Sequence, residues 1–342
     1  MKASKPSMTT PATTVDGACR ALLADYQSRP TLRAGSLITT VFGDSIAPRG
    51  GSVWLGSLIK AMAGFGISER LVRTSVFRLS QDGWLESEQR GRRSYYRLTG
   101  EGRQRFRTAT HRIYGEPASG WDGEWCLLLL SGLDTTTRDL VRKECGWLGF
   151  AAMSTNVLAH PGPDMADLDE TLRRLGVADD VVVMSGRTLR NETALRALVR
   201  GGWNLDDINR RYEEFLHLFR PAATAASDAP AIDAHTAFLV RTLLIQEYRK
   251  VLLRDPQLPQ ALLPDDWHGH TAYRLCKNLY RSLWRPADTY LHATLESGDG
   301  PLPEPDGDYY RRFGGIEFEA EPVGADLIEA DPNGNPDTDT SR

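Results

Sequence analysis

GISERLVRTSVFRLSQDGWLESEQRGRRSYYRLT, residues 66–99, reads as one helix followed at once by a tight basic hairpin. Ser68 can cap the helix by accepting a backbone N–H from its first turn, with Ile67 and Val72 at the two positions of a hydrophobic staple. Placing residues about 100° apart gathers Leu71, Val72, Ser75, Val76 and Leu79 on one side and Arg70, Arg73, Thr74 and Phe77 on the other. One side is suited to packing and the other is cationic. Gly83 ends the helix, and residues 84–87 then pair with residues 94–98 across Arg90-Gly91-Arg92-Arg93. A cationic helix joined directly to a cationic hairpin is the pattern of a winged helix-turn-helix, with a recognition helix for the major groove and a wing for neighbouring phosphates.

Charge supports that reading. Residues 66–107 hold ten Arg against five Asp and Glu, a local balance of +5 in a chain of net charge −4. Ser68, Arg70, Arg73, Thr74, Phe77, Arg90, Arg92 and Arg93 are therefore the candidate DNA-binding residues, and double-stranded DNA is the expected partner.

The remaining sequence places this unit in a larger frame. With 342 residues and 41 % apolar content, two or three domains are expected. No apolar run is long enough to span a membrane, and the first thirty residues lack a signal-peptide core, so a cytoplasmic location is expected. Cys19, Cys126, Cys145 and Cys276 form no CxxC pair and fit reduced core thiols, while His268 and His270 lack a third nearby ligand. Neither a metal nor a cofactor is implied.

Residues 1–30 read as a flexible N-terminal segment, with a short helical lead-in at 18–26. The stretch from 31 to 114 forms the DNA-binding domain: a helix ended by Pro48 and Gly50-Gly51, a short strand at Val53-Trp54, a helix carrying Leu55, Leu58, Ile59 and Met62, then the helix and hairpin above. Thr99 is placed to cap a final helix. Gly115 to Gly120 reads as a linker. Residues 120–190 give strands at 125–130, 149–153, 156–159 and 180–184, with helices at 135–145 and 164–175, a βαββαβ order that specifies a ferredoxin-like sandwich. Residues 191–297 are helical, interrupted by an Ala-rich connection at 221–230 and a proline-punctuated corner around 255–267. Residues 298–342 are expected to be a disordered acidic tail: from 296 onward there are thirteen acidic residues against three Arg. The fold class is thus α+β.

Three blocks of the chain resemble the PaaX family of bacterial repressors of phenylacetate catabolism. They are residues 36–59 with 66–106; WDGEWCLLLL (121–130) with GWLGFAAMSTNVLAHP (146–161); and EYRKVLLRDPQLPQALLPDDWHGHTAYRLCKNLY (247–280). The resemblance spans about residues 31–295, and its last block is the most distinctive. It implies a repressor with an N-terminal winged helix, a central domain similar to the Cas2 fold and a helical C-terminal domain, released from its operator by phenylacetyl-CoA. An aryl-acyl-CoA needs cations for its phosphates and an apolar slot for its aryl end. Arg249, Lys250 and Arg254, with Trp267 nearby in sequence, are the candidate effector residues, and Tyr273 and Tyr280 add aromatic surface. A homodimer is expected because one recognition helix reads only a few base pairs.

The rival class is a metal-dependent nuclease, since Cas2-like proteins include enzymes with an Asp just after the first strand, where Asp134 stands. That position also needs a helix cap, and Thr135-Thr136-Thr137 offers no second carboxylate. Phosphate-binding, dinucleotide, nucleophile-elbow and HExxH motifs are absent. A protein-binding adaptor would leave the arginine hairpin without a purpose.

Overall fold

A computed structural model describes residues 15–29, 33–117, 120–190, 192–227 and 232–317. In chain order its elements are α1 (Val15–Ser28), α2 (Ala34–Val41), β1 (Ser52–Trp54), α3 (Leu55–Ala63), α4 (Glu69–Gln81), β2 (Leu85–Arg90), β3 (Arg93–Leu98) and α5 (Gly100–Tyr114). There follow β4 (Glu124–Leu129), α6 (Thr135–Trp147), β5 (Ala151–Ser154), β6 (Val157–His160), α7 (Met165–Leu175) and β7 (Val182–Arg187). The rest comprises α8 (Glu192–Gly202), α9 (Leu205–Ser227), α10 (Ala234–Leu252), α11 (Gly269–Thr294), β8 (Glu296–Ser297), β9 (Gly300–Pro301) and α12 (Gly307–Tyr310). The chain divides into two compact units, one of residues 1–114, 215–247 and 271–342, the other of residues 115–214 and 248–270. The expected helical region 191–297 is thereby shared between them.

In the first unit, a three-stranded antiparallel sheet has the order β1-β3-β2. Its hairpin pairs Leu85 with Leu98 through to Arg90 with Arg93, leaving Gly91-Arg92 as a two-residue turn. Gly91 has a φ of +61°, which suits the first position of a type II′ turn. Ser68 caps α4 as its sequence specifies, accepting from the Leu71 N–H at 3.4 Å. Val72, Ser75 and Val76 are buried as α4 packs on α2 and α3, and Ile67 is buried beside them. Leu71 departs from the expected packing side: it is 38 % exposed, at the margin of the stripe formed by Val72, Ser75 and Val76. The Thr99 hydroxyl accepts from the Gly102 N–H at 2.9 Å and so caps α5.

After α2 the backbone widens into a π-helical turn, Phe42–Ile46, before the 3-10 turn Ala47–Arg49. The wider turn turns Asp44 and Ser45 inward, where both are buried. There the Asp44 carboxylate lies 3.1 Å from Arg241 Nε and 3.1 Å from Arg312 Nη1. It also accepts from the Tyr114 and Tyr280 hydroxyls at 2.8 and 3.0 Å. Asp288 continues the cluster, 2.8 Å from Arg241 and 2.7 Å from Arg49. Phe65 meets Phe238 edge-on at 5.8 Å, so α10 contributes to the same core.

Two expectations for this half of the chain are corrected. Residues 221–227 are not a connection: α9 continues through Pro221 to Ser227, because Ala222, Ala223 and Ala225 are buried and their packing outweighs the hydrogen bond that Pro221 cannot donate. Residues 298–317 are not disordered: Leu302, Tyr309, Phe313 and Ile316 are buried despite the acidic composition around them. The part of the tail from 318 onward lies outside the described residues, as do residues 1–14 of the N-terminal segment.

In the second unit, a four-stranded antiparallel sheet has the order β5-β6-β4-β7. The first and third strands in chain order are thus central. Helices α6 and α7 cover one face, burying Leu128, Leu130, Val141, Cys145, Leu158, Leu168 and Leu172 together. Asp134 and Asp164 cap these helices by accepting N–H groups at positions two and three residues on. At the edge, β7 leaves Val182 and Met184 exposed. Around residues 203–267, the Trp203 indole N–H donates to the Gly149 carbonyl at 2.7 Å, and the Tyr212 hydroxyl donates to buried Asp255 at 2.7 Å.

Candidate nucleic-acid interface

Burial of Val72, Ser75 and Val76 against α2 and α3 fixes the rotation of α4, so its polar side faces outward. Arg70, Arg73, Thr74 and Phe77 are all exposed, and Phe77, at 59 %, is a large aromatic ring left in solvent beside two arginines. Arg73 is steadied by Glu69 one turn earlier, 2.7 Å from Nη2. The Thr74 hydroxyl donates to the Arg70 carbonyl at 2.9 Å and keeps only acceptor capacity outward. Ser68 is spent as the cap, which leaves it at the positive end of the helix.

The hairpin is less uniform than its sequence suggests. Arg92 at the tip is exposed and makes no ion pair among the described residues. Arg90 pairs with Glu88 at 2.7 Å and Asp299 at 3.4 Å, and it donates to the Gly298 carbonyl at 3.2 Å. Arg93 pairs with Glu296 at 2.7 Å and lies 4.2 Å above the Trp54 ring. Arg97 is bound to Glu86 across the hairpin at 2.9 Å. Hydrogen bonding to Glu88 holds the Arg90 guanidinium even more firmly protonated than usual, and hydrogen bonding to Tyr95 and then to Glu296 does the same for Arg93. The partners Trp54, Glu296 and Asp299 were not identified from sequence: an Arg-rich turn gives no local sign of a carboxylate supplied from far along the chain.

The expected effector residues fall in the second unit. Arg249 and Lys250 are half-buried on α10, and Arg254 is exposed just beyond it. Trp267 is buried and meets Tyr212 edge-on at 5.7 Å, so its ring is committed to packing. Tyr280 belongs to the buried Asp44 cluster of the first unit, and Tyr273 packs beside Phe313 there at 5.8 Å. A cleft of about 430 Å³ in the second unit was not foreseen; Arg196, Arg200, Leu205, Leu262, Leu263 and Asp265 are among its lining residues. Its arginines stand one turn apart on α8, a spacing common on solvated helices, so nothing in the sequence set them apart.

Asp134 is engaged as the cap of α6. Its carboxylate accepts from the Thr136 and Thr137 N–H groups at 2.9 and 3.2 Å and from the Thr137 hydroxyl at 2.5 Å, and these bonds hold its pKa below the usual carboxylate value. Among the described residues there is no group of three or more His, Cys, Asp or Glu able to hold a metal ion, and no helix is long and apolar enough to cross a membrane.

Three family models match successive parts of the chain: PaaX-like protein over residues 33–102, PaaX protein central Cas2-like domain over 118–198, and PaaX-like protein C-terminal domain over 203–293. Among solved structures, the uncharacterized protein Rv0674 from Mycobacterium tuberculosis is 24 % identical with a TM-score of 0.47, covering 68 % of this chain and 89 % of that one. The transcriptional repressor PaaX of Escherichia coli (strain K12) is 41 % identical over 289 residues, covering 84 % of this chain and 92 % of that protein. On that extent of identity, together with three family matches running the length of the folded chain, the protein belongs to the PaaX family.

Proposed function

We propose that this chain is a transcriptional repressor of a phenylacetate-type catabolic operon, a regulator rather than an enzyme, that binds double-stranded operator DNA and is released by an aryl-acyl-CoA such as phenylacetyl-CoA. The observation that carries the DNA reading is the exposed row Arg70, Arg73 and Phe77 on α4, which leads through Gly83 into a hairpin tipped by Arg92. In this reading residues 31–114 are a winged helix-turn-helix, with α4 in the major groove and β2–β3 as the wing. Phe77 would meet thymine methyl groups there, while the arginines read guanine edges or hold phosphate.

Residues 120–190 are read as a ferredoxin-like, Cas2-like domain; the central place of the first and third strands supports this. The effector is assigned to the second unit, where Arg249, Lys250 and Arg254 supply cations, and the 430 Å³ cleft with Arg196 and Arg200 supplies both charge and apolar wall. Trp267 contributes there as packing. The repressor is a homodimer in this reading, since a symmetric operator needs two recognition helices.

Fluorescence anisotropy with DNA from upstream of a phenylacetate-degradation operon tests the function. Nanomolar binding that phenylacetyl-CoA reverses, and that phenylacetate does not, is the expected result; absence of binding at low salt would refute it. Calorimetry on the full chain should show phenylacetyl-CoA affinity falling about tenfold or more in Arg249→Ala or Arg254→Ala, as for a lost charge-assisted bond. Unchanged affinity in both would move the effector elsewhere. Light scattering that gives a monomer both alone and on operator DNA would exclude the dimer.

A further inference from the structure

The turn after α11 sits on the wing. Glu296 and Asp299 place carboxylate oxygens 2.7 Å from Arg93 and 3.4 Å from Arg90, and the Gly298 carbonyl accepts from Arg90 at 3.2 Å. The Glu296 contact has the separation at which a phosphate oxygen would meet a guanidinium group, and the two contacts to Arg90 are looser. The turn is built to hold that place. Leu295 and Leu302 on either side are buried, and the Leu302 N–H donates to the Leu295 carbonyl at 3.2 Å. The Glu296 N–H donates to the Ser57 hydroxyl at 3.1 Å, and the Ser297 hydroxyl accepts from the Asp299 N–H at 3.2 Å. The approach is close, since a Cβ at Gly298 would lie 2.6 Å from Arg90 Nη1 and the guanidinium would have to shift.

We propose that residues 296–299 form an internal phosphate mimic that occupies the wing and is displaced from Arg90 and Arg93 when DNA binds. The proposal rests on the reading of the hairpin as a DNA-binding wing. Exposure makes the displacement feasible: Asp299 is 95 % exposed and both arginines are about half exposed, 47 and 48 %, so these ion pairs are weak and screened by salt. A polyanion can replace them at small cost, whereas a monovalent surface carboxylate elsewhere on the protein cannot. The mimic would lower affinity for every sequence alike, leaving the discrimination made by α4 a larger share of total binding. Arg92 is the wing cation left open to make the first contact.

The alternative is that Glu296 and Asp299 merely hold the arginines in the pose DNA needs, and the two predict opposite signs. The test compares wild type with full-length Glu296→Gln/Asp299→Asn, two near-isosteric surface changes, on a 30-base-pair duplex of arbitrary sequence and on a heparin column. Displacement predicts that the variant binds the duplex about three- to tenfold more tightly at low salt, with a steeper dependence on salt, and elutes later from heparin. The gain should vanish when Arg90→Ala/Arg93→Ala is added. Unchanged or weaker binding by the variant, with wild type bound, overturns the mimic alone. Failure of wild type to bind either polyanion overturns the wing reading itself.

Discussion

Replacing Asp44 by Ala is expected to cost about 3 to 5 kcal/mol of stability, the loss seen when one partner of a buried ion cluster is removed. Asp44, Arg241 and Arg312 are almost completely shielded from solvent, and the cluster sets three guanidinium groups, including Arg49, against the carboxylates of Asp44 and Asp288. Without Asp44, Arg241 and Arg312 would keep Asp288, neutral hydroxyls of Ser45, Tyr280 and Tyr309 and the backbone carbonyls of residues 43 and 44, but would lose the buried carboxylate that both face. The Tyr114 and Tyr280 hydroxyls would also lose their acceptor. Because the cluster joins the π-helical turn after α2 to α10, α11 and the segment around Tyr309, its loss should loosen the support beneath the elements proposed to bind DNA in the same unit. Thermal unfolding followed by circular dichroism should show a midpoint lower by about 10 °C or more. A fall equivalent to less than about 1 kcal/mol would mean that the cluster relaxes or takes in water.

The acid limb of the stability curve provides a second check. Burial raises the Asp44 pKa, but the guanidinium groups of Arg241 and Arg312 overcome it and hold the carboxyl below its usual 3.8. A depressed folded pKa contributes stability that is fully present above the unfolded value and is lost as pH falls below it toward the folded one. Asp44→Asn should therefore remove part of the steepening below about pH 4. The same burial pushes the Tyr114 and Tyr280 hydroxyls well above their usual range, so both remain donors to Asp44 across ordinary pH.

What could be read from the sequence was local. A cap at Ser68, a helix-ending Gly83 and two-residue alternation on either side of Gly91 each act within a few residues, so α4 and the hairpin followed directly from residue order. The element order of the second unit was equally legible, through short apolar runs and the caps Asp134 and Asp164. Distant pairing was not. Asp44 lies in an apolar stretch with no neighbour of opposite charge, and Arg241 and Arg312 bring its partners from remote segments. Arg90 and Arg93 look free in sequence for the same reason, although Glu296 and Asp299 claim them. Composition misled where packing dominated: Pro221 sits inside α9 because the alanines after it are buried, and the acidic residues 298–317 fold because Leu302, Tyr309, Phe313 and Ile316 find a core. Trp267, chosen for an aryl slot, is instead held edge-on by Tyr212.

Replacing Arg73 by Ala is expected to lower affinity for the operator by about 1 to 3 kcal/mol, roughly tenfold to a hundredfold, while scarcely changing affinity for unrelated duplexes. Arg73 lies one turn into a capped helix, next to Arg70 and Phe77 on its exposed side, and Glu69 orients its guanidinium without burying it, both side chains being more than half exposed. Such a group can present two donors to the O6 and N7 atoms of guanine, a contact Ala cannot replace. Arg92→Ala should behave differently. At the tip of a two-residue turn, Arg92 makes no ion pair among the described residues and in the proposed reading meets phosphate as a point charge, so its loss should weaken operator and unrelated DNA alike and reduce the slope of log K against log salt by about 1. Anisotropy titrations of both variants on operator and scrambled duplexes, at several salt concentrations, separate the two roles. Equal losses on both duplexes for Arg73→Ala would turn α4 into a phosphate-binding element and place sequence reading elsewhere in the protein. A loss confined to the operator for Arg92→Ala would instead put the hairpin tip in a groove.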